Sequence, residues 1–120
     1  MDNRTLARVF IVDQSEAIIE RLAAALEGTA EVIGRATNAQ DALEGIRNSK
    51  PHLAVVDVAI PDGIELLKQI KSHQPPVTVV VLTHSADETT RRVCLRMGAE
   101  YFLDKIRDFN RVREIVISQR

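Results

Sequence analysis

Five short runs rich in valine and isoleucine, each followed by a longer amphipathic stretch, constrain this chain more than any other feature. The runs are Val9 to Val12, Glu31 to Gly34, Leu53 to Val56, Val77 to Leu82 and Tyr101 to Leu103. Fivefold alternation of this kind is the pattern of a parallel α/β sheet. Three runs, Val9-Phe10-Ile11-Val12, Leu53-Ala54-Val55-Val56 and Val77-Thr78-Val79-Val80-Val81-Leu82, lack in/out alternation. A strand reads that way when helices cover both faces of its sheet, so these three are expected at the centre. The second run is less apolar and the fifth is short, which places both at edges.

Helix signals fill the intervals. Ser15 is a candidate N-cap, followed by the stripe Ile18, Ile19, Leu22 and Leu26 and by Gly28 as a stop. Asn38 opens a second helix with Ala42, Leu43 and Ile46 inward. A third runs from about Gly63 through Leu66, Leu67 and Ile70 towards His73 and is ended by Pro75-Pro76. A fourth begins near Asp87-Glu88 and ends at Gly98, and a fifth carries Val112, Ile115 and Val116.

Composition then limits the class. At 120 residues, 45% hydrophobic and 28% charged, the chain fits one ordinary domain, 1–120, with a core that needs neither disulfides nor a structural metal. The lone Cys94 agrees with a reducing compartment. Sixteen basic against 17 acidic side chains argue against direct nucleic-acid binding. No apolar run approaches the roughly 20 residues that span a bilayer, and Met1-Asp2-Asn3-Arg4 does not lead into a signal peptide. The expected home is the cytoplasm, without a membrane.

In open α/β sheets, ligands bind beyond the carboxyl ends of the strands. Here strand one ends in Asp13-Gln14, strand three in Asp57, strand four in Thr83-His84, and strand five leads through Asp104 to Lys105. If strands one, three, four and five are neighbours, these side chains converge. Two carboxylates a few Å apart repel by about 1 to 4 kcal/mol, which a divalent cation or the Lys105 ammonium would offset. Such a cluster suits Mg2+ and a phosphoryl group, with Asp57 as a nucleophile.

Asp13 after the first apolar strand, Asp57 with Ile60-Pro61 after it, Thr83 closing Val79-Val80-Val81-Leu82, and Gly98-Ala99-Glu100-Tyr101-Phe102-Leu103-Asp104-Lys105 together resemble the receiver domain of bacterial response regulators. The resemblance covers nearly the whole chain. It implies a flavodoxin-like (βα)5 doubly wound sheet with strand order 2-1-3-4-5. It also implies that Asp57 accepts a phosphoryl group from a histidine kinase or phosphotransfer protein, with Thr83 and Lys105 binding the phosphoryl oxygens. Mg2+ would be held by Asp13, Asp57 and the backbone carbonyl of Ala59, with Gln14 as a further candidate. Thr83 and Phe102 would form the switch, acting on a face of helix four, strand five and helix five that a downstream partner recognises. The implied molecule is a monomer or weak dimer that turns over no separate substrate.

Four positions depart from the family pattern. Gln14 stands where a second acid is usual, which predicts weak Mg2+ binding. The segment Asp57 to Gly63 is shorter than the usual loop. His84 is large where a small residue is usual and would shield the site or alter phosphoryl lifetime. Ile106 follows Lys105 where proline is usual. These departures motivate an alternative, a degenerate receiver that binds partners without phosphorylation. A flavodoxin-type FMN protein is disfavoured, because Asp13-Gln14-Ser15-Glu16 is acidic where a phosphate loop needs glycines and hydroxyls. His52, His73 and His84 lack metal-ligand spacing, and His73 reads as a helix-end residue. Cys94 reads as a small buried hydrophobe, and Arg107, Arg111, Arg113 and Arg120 as a solvated face.

Overall fold

The computed structural model describes residues 6–73 and 75–119; Arg120 and the segment Met1-Asp2-Asn3-Arg4 lie outside them. The elements alternate β1 (Ala7–Val12), α1 (Glu16–Leu26), β2 (Ala30–Ala36), α2 (Ala39–Ser49), β3 (Leu53–Val56), α3 (Gly63–Lys71), β4 (Thr78–Thr83), α4 (Glu88–Arg96), β5 (Tyr101–Asp104) and α5 (Arg111–Ser118). All four strand pairings are parallel and the order is β2-β1-β3-β4-β5. The three continuously apolar runs are therefore the interior strands, and the two weaker ones are the edges. The resulting architecture is the flavodoxin-like doubly wound sheet.

Burial explains the missing alternation. One face of the sheet, with Phe10, Val12, Ala54, Val56, Val79 and Val81, packs on α2, α3 and α4 through Ala42, Ile46, Leu66, Leu67, Ile70 and Cys94. The opposite face, with Val9, Ile11, Leu53, Val55, Val80 and Leu82, packs on α1 and α5 through Ile19, Leu22, Leu26, Val112, Ile115 and Val116. Each interior strand thus buries both of its faces over Val9–Val12, Leu53–Val56 and Val79–Leu82, and the polar Arg8 and Thr78 sit only in the less buried first residues.

The caps act where the residues suggest. Ser15, Asn38 and Asp87 each accept a hydrogen bond from the backbone three residues on: Ile18 N at 3.3 Å, Asp41 N at 2.8 Å and Thr90 N at 2.8 Å. Gly28 has φ +83, a left-handed conformation that lets the chain leave α1 and enter β2. The third helix stops at Lys71, earlier than the reading towards His73. Ser72 forms its C-cap, His73 follows it with its N–H on the Ile70 carbonyl at 3.0 Å, and the His73 ring lies beside the Pro75 carbonyl at 3.3 Å. Cys94 is fully buried, and burial pushes its thiol up to about 11. Arg107, Arg111 and Arg113 are exposed.

Candidate functional site

Because the interior strands are neighbours, their carboxyl ends open onto one spot. Asp13, Asp57, Thr83 and Lys105 meet there, at 3%, 7%, 0% and 5% exposure. The Lys105 ammonium bridges the two carboxylates, with Nζ 2.6 Å from Asp13 Oδ2 and 2.7 Å from Asp57 Oδ2. Burial alone would pull the Lys105 pKa down. The hydrogen bonds and negative charges of Asp13 and Asp57 outweigh it, and the pKa is raised above its ordinary value. Lys105 is thus a fixed cation.

The same local device holds each of the four strand ends. Asp13 Oδ1 accepts from Ser15 N at 2.9 Å, and Asp57 Oδ1 from Ala59 N at 2.9 Å. Thr83 Oγ1 accepts from Ser85 N at 3.1 Å, and Asp104 Oδ1 from Ile106 N at 2.8 Å. Each is a side-chain turn spanning two residues, the kind aspartate and threonine form readily. The consequence is mechanical, since Asp13, Asp57 and Thr83 are each tied to the loop that follows them, and Asp104 ties down the loop that carries Lys105.

The departures from the family pattern have visible effects. Gln14 is exposed, so the buried charge is two carboxylates against one ammonium. The short loop after β3 buries Val58 and Ile60 and turns into α3 through Asp62, whose φ is +61. α3 then starts without a side-chain cap at Gly63, where a Cβ would stand 2.2 Å from the Val58 carbonyl oxygen. Only glycine admits that approach. His84 is exposed, and the Asp104 carboxyl is held below its ordinary pKa chiefly by hydrogen bonds from the Arg107 and Ile106 amides. Ile106 uses its N–H in the Asp104 turn, a bond proline cannot make, and its side chain is 77% exposed. A second link closes this loop, from Asp104 N to Asp108 Oδ2 at 2.9 Å.

Phe102 is half-buried on β5 and packs against the cluster that includes Cys94 of α4 and Ala99. The residues legible in advance, Asp13, Asp57, Thr83 and Lys105, are all brought together. The backbone amides of Ser15, Ala59 and Ser85 are what the sequence reading did not find. The signal was present, because each follows an Asp or Thr at a spacing of two.

The donor set fits a hard divalent cation. Two carboxylates converge with the Ala59 segment beside them, and Mg2+ commonly binds through one or two carboxylates while keeping several waters. Among the described residues, no group of three or more His, Cys, Asp and Glu side chains is placed to hold a metal.

A doubly wound α/β sheet that gathers a buried aspartate pair, a threonine and a lysine at its carboxyl edge defines a class of phosphoryl-binding switch folds. Within that class the chain belongs to the response regulator receiver domain family, whose pattern it matches over residues 9–117. It is 30% identical over 100 residues to the alkaline phosphatase synthesis transcriptional regulatory protein PhoP of Bacillus subtilis, covering 82% of this chain and 42% of PhoP. Its fold superposes on the signal receiver domain of the response regulator NarL from Mycobacterium tuberculosis with a TM-score of 0.87 at 25% identity, covering 96% of each chain. It also superposes on CheY of Borrelia burgdorferi, in a complex with CheX, BeF3 and Mg2+, with a TM-score of 0.85 at 25% identity, covering 93% of this chain and 87% of that one. The chain spans between about a quarter and a half of the length of the curated relatives it matches. Among the described residues no helix is long and apolar enough to cross a membrane.

Proposed function

We propose that Asp57 is the phosphoacceptor of a two-component relay and that a histidine kinase or phosphotransfer protein supplies the phosphoryl group. The observation that carries this reading is the Lys105 ammonium, fixed at 2.7 Å from Asp57 Oδ2 in a buried acidic pocket. A carboxylate oxygen of Asp57 forms a bond to phosphorus as the bond from phosphorus to the donor's imidazole nitrogen breaks and its electron pair leaves with that nitrogen, while Lys105 shifts from the carboxylate to the phosphoryl oxygens, where a fixed cation stabilises the charge of the transition state. Asp13 keeps Lys105 oriented through the second contact. Mg2+, held by Asp13, Asp57 and the Ala59 carbonyl with Gln14 as a neutral further donor, supplies additional neutralisation of the phosphoryl charge when bound.

The switch follows from the local turns. A phosphoryl group on Asp57 adds acceptor oxygens within the pocket, and the Thr83 hydroxyl donates to one of them. Its Oγ1 then leaves the Ser85 amide, loosening the connection into α4. Phe102, packed beneath α4, follows, and the face of α4, β5 and α5 presents a different surface to a downstream protein partner. The chain acts as one receiver unit with no separate substrate. The reading without phosphorylation gains no support from the site, in which all four side chains are in place.

Incubation with Mg2+ and acetyl phosphate, followed by intact mass, tests the proposal. One added phosphoryl group is expected on the native chain and none on Asp57→Ala; an unlabelled native chain, or equal labelling of the variant, overturns it. Restoring a second acid with Gln14→Asp should tighten Mg2+ binding roughly tenfold, the effect of one added charge near the ion at a partly solvated site. His84→Ala should change the lifetime of the phosphorylated form.

A further inference from the structure

A cleft of about 280 Å³ lies between the start of α3 and α4, lined by Val58, Ala59, Ile64, Ser85, Thr89, Thr90 and Val93. Two of these residues belong directly to the site. Ala59 is the residue whose N–H holds Asp57 Oδ1, and Ser85 the one whose N–H holds Thr83 Oγ1. The cleft therefore begins within one hydrogen bond of both the proposed phosphoacceptor and its threonine. Val58, Ile64 and Val93 supply apolar surface, and Ser85, Thr89 and Thr90 add hydroxyls. Val93 is 37% exposed, so the cleft remains open to solvent on one side.

We propose that this cleft binds the acyl chain of a small acyl phosphate donor and makes the site selective for donors with a short aliphatic tail. The inference rests on Asp57 being the phosphoacceptor and adds what its small-molecule donor looks like. In the step, an Asp57 carboxylate oxygen forms a bond to phosphorus while the bond from phosphorus to the acyl oxygen breaks. The electron pair leaves with that oxygen as a free carboxylate. No proton moves and no redox partner is needed.

The short connection from β3 makes the cleft what it is. Val58 and Ile60 are pulled into the core, and Gly63 lets α3 start against the Val58 carbonyl. Ile64 in the first turn of α3 and Val93 of α4 then line the same cleft with Val58 and Ala59 of the loop. An acetyl group reaches little of this surface. Each further methylene moves apolar area from water onto Ile64 and Val93, a gain that appears directly in the second-order rate constant of phosphorylation.

The test compares acetyl, propionyl and butyryl phosphate as donors to the intact chain, with phosphoramidate, which has no apolar leaving group, as reference. The rate constant should rise roughly threefold per added methylene in a cleft open on one side. Val93→Ser should flatten the series while leaving the acetyl phosphate and phosphoramidate rates unchanged, and Ile64→Ala should do the same from the α3 side. Circular dichroism establishes that both variants fold. A flat or falling series in the native chain, with acetyl phosphate still reacting, overturns the acyl-binding cleft and leaves Asp57 as phosphoacceptor. A series that persists in both variants also overturns it. Failure of every donor overturns the reading of Asp57 itself.

Discussion

α3 and α4 follow the strands that present Asp57 and Thr83, and both are nine residues long, yet they are held very differently. α3 buries Gly63, Leu66, Leu67 and Ile70, and the loop before it buries Val58 and Ile60. α4 buries Cys94 alone, presents arginines and threonines to solvent, and leaves Val93 exposed. Helices with little buried apolar surface sit at the low end of local stability, so α4 is the cheaper of the two to displace. The difference separates two tasks. Phosphoryl transfer to Asp57, as proposed, needs a carboxylate that does not wander, and α3 anchors its loop. Signalling needs an element that a small electrostatic change can shift, and α4 hangs from the turn that Thr83 controls.

The largest test of this contrast is packing. Leu67→Ala should cost about 3 kcal/mol of unfolding free energy, against about 1 kcal/mol or less for the half-buried Leu95→Ala on α4, both measured by urea unfolding. Equal losses would erase the distinction. Gly63→Ala comes next. Its Cβ would stand 2.2 Å from the Val58 carbonyl oxygen, so helix and loop must part, at a cost of about 2 kcal/mol. The same shift would carry the Ala59 amide away from Asp57 and slow phosphorylation roughly tenfold.

Cys94 sharpens the comparison through pH. Burial raises its thiol from an ordinary 9.0 to about 11, so the unfolded chain ionises first. Its contribution to stability is complete below pH 9 and is lost as pH rises towards 11. Relative to Cys94→Ala, the native chain should lose up to about 2 kcal/mol across that window. A parallel pH profile for the two proteins would show that α4 already admits water at rest. The smallest effect is kinetic. Phosphorylation should speed the labelling of Cys94 by a thiol reagent roughly threefold by easing the opening of α4, and Thr83→Ala should remove the increase. An increase that survives in Thr83→Ala would detach α4 from the Thr83 turn.

Much of the fold was legible in local patterns. Unbroken apolar runs marked β1, β3 and β4 as interior, because a strand covered on both faces cannot alternate. Ser15, Asn38 and Asp87 marked three helix starts by caps whose partners lie three residues away. The start of α3 is read at Gly63 without a cap signal, and what the reading lacks is the reason for the glycine, its missing side chain against Val58. The end of α3 was overread towards His73 for a related reason: Ser72 closes the helix through backbone bonds to Lys68 and Ile70. At the site, Asp13, Asp57, Thr83 and Lys105 were legible as residue types at strand ends. The supporting amides of Ser15, Ala59 and Ser85 are marked only by the Asp or Thr two residues before each, since a backbone donor leaves no mark on the identity of its own residue.

By itself the sequence determined the alternation of elements, the interior place of three strands and the identity of the charged groups at their ends. Those properties depend on neighbours a few residues apart, within reach of a helical turn or a strand's pleat. Tertiary structure alone decided that the ammonium of Lys105 bridges Asp13 and Asp57, groups brought together across the sheet from distant parts of the chain. It also decided that α3 is anchored while α4 is not, and that a cleft opens between them beside the site. Parallel pairing brings distant strand ends together, and helix packing apportions the apolar surface. Both are sums over the whole chain that no short window contains.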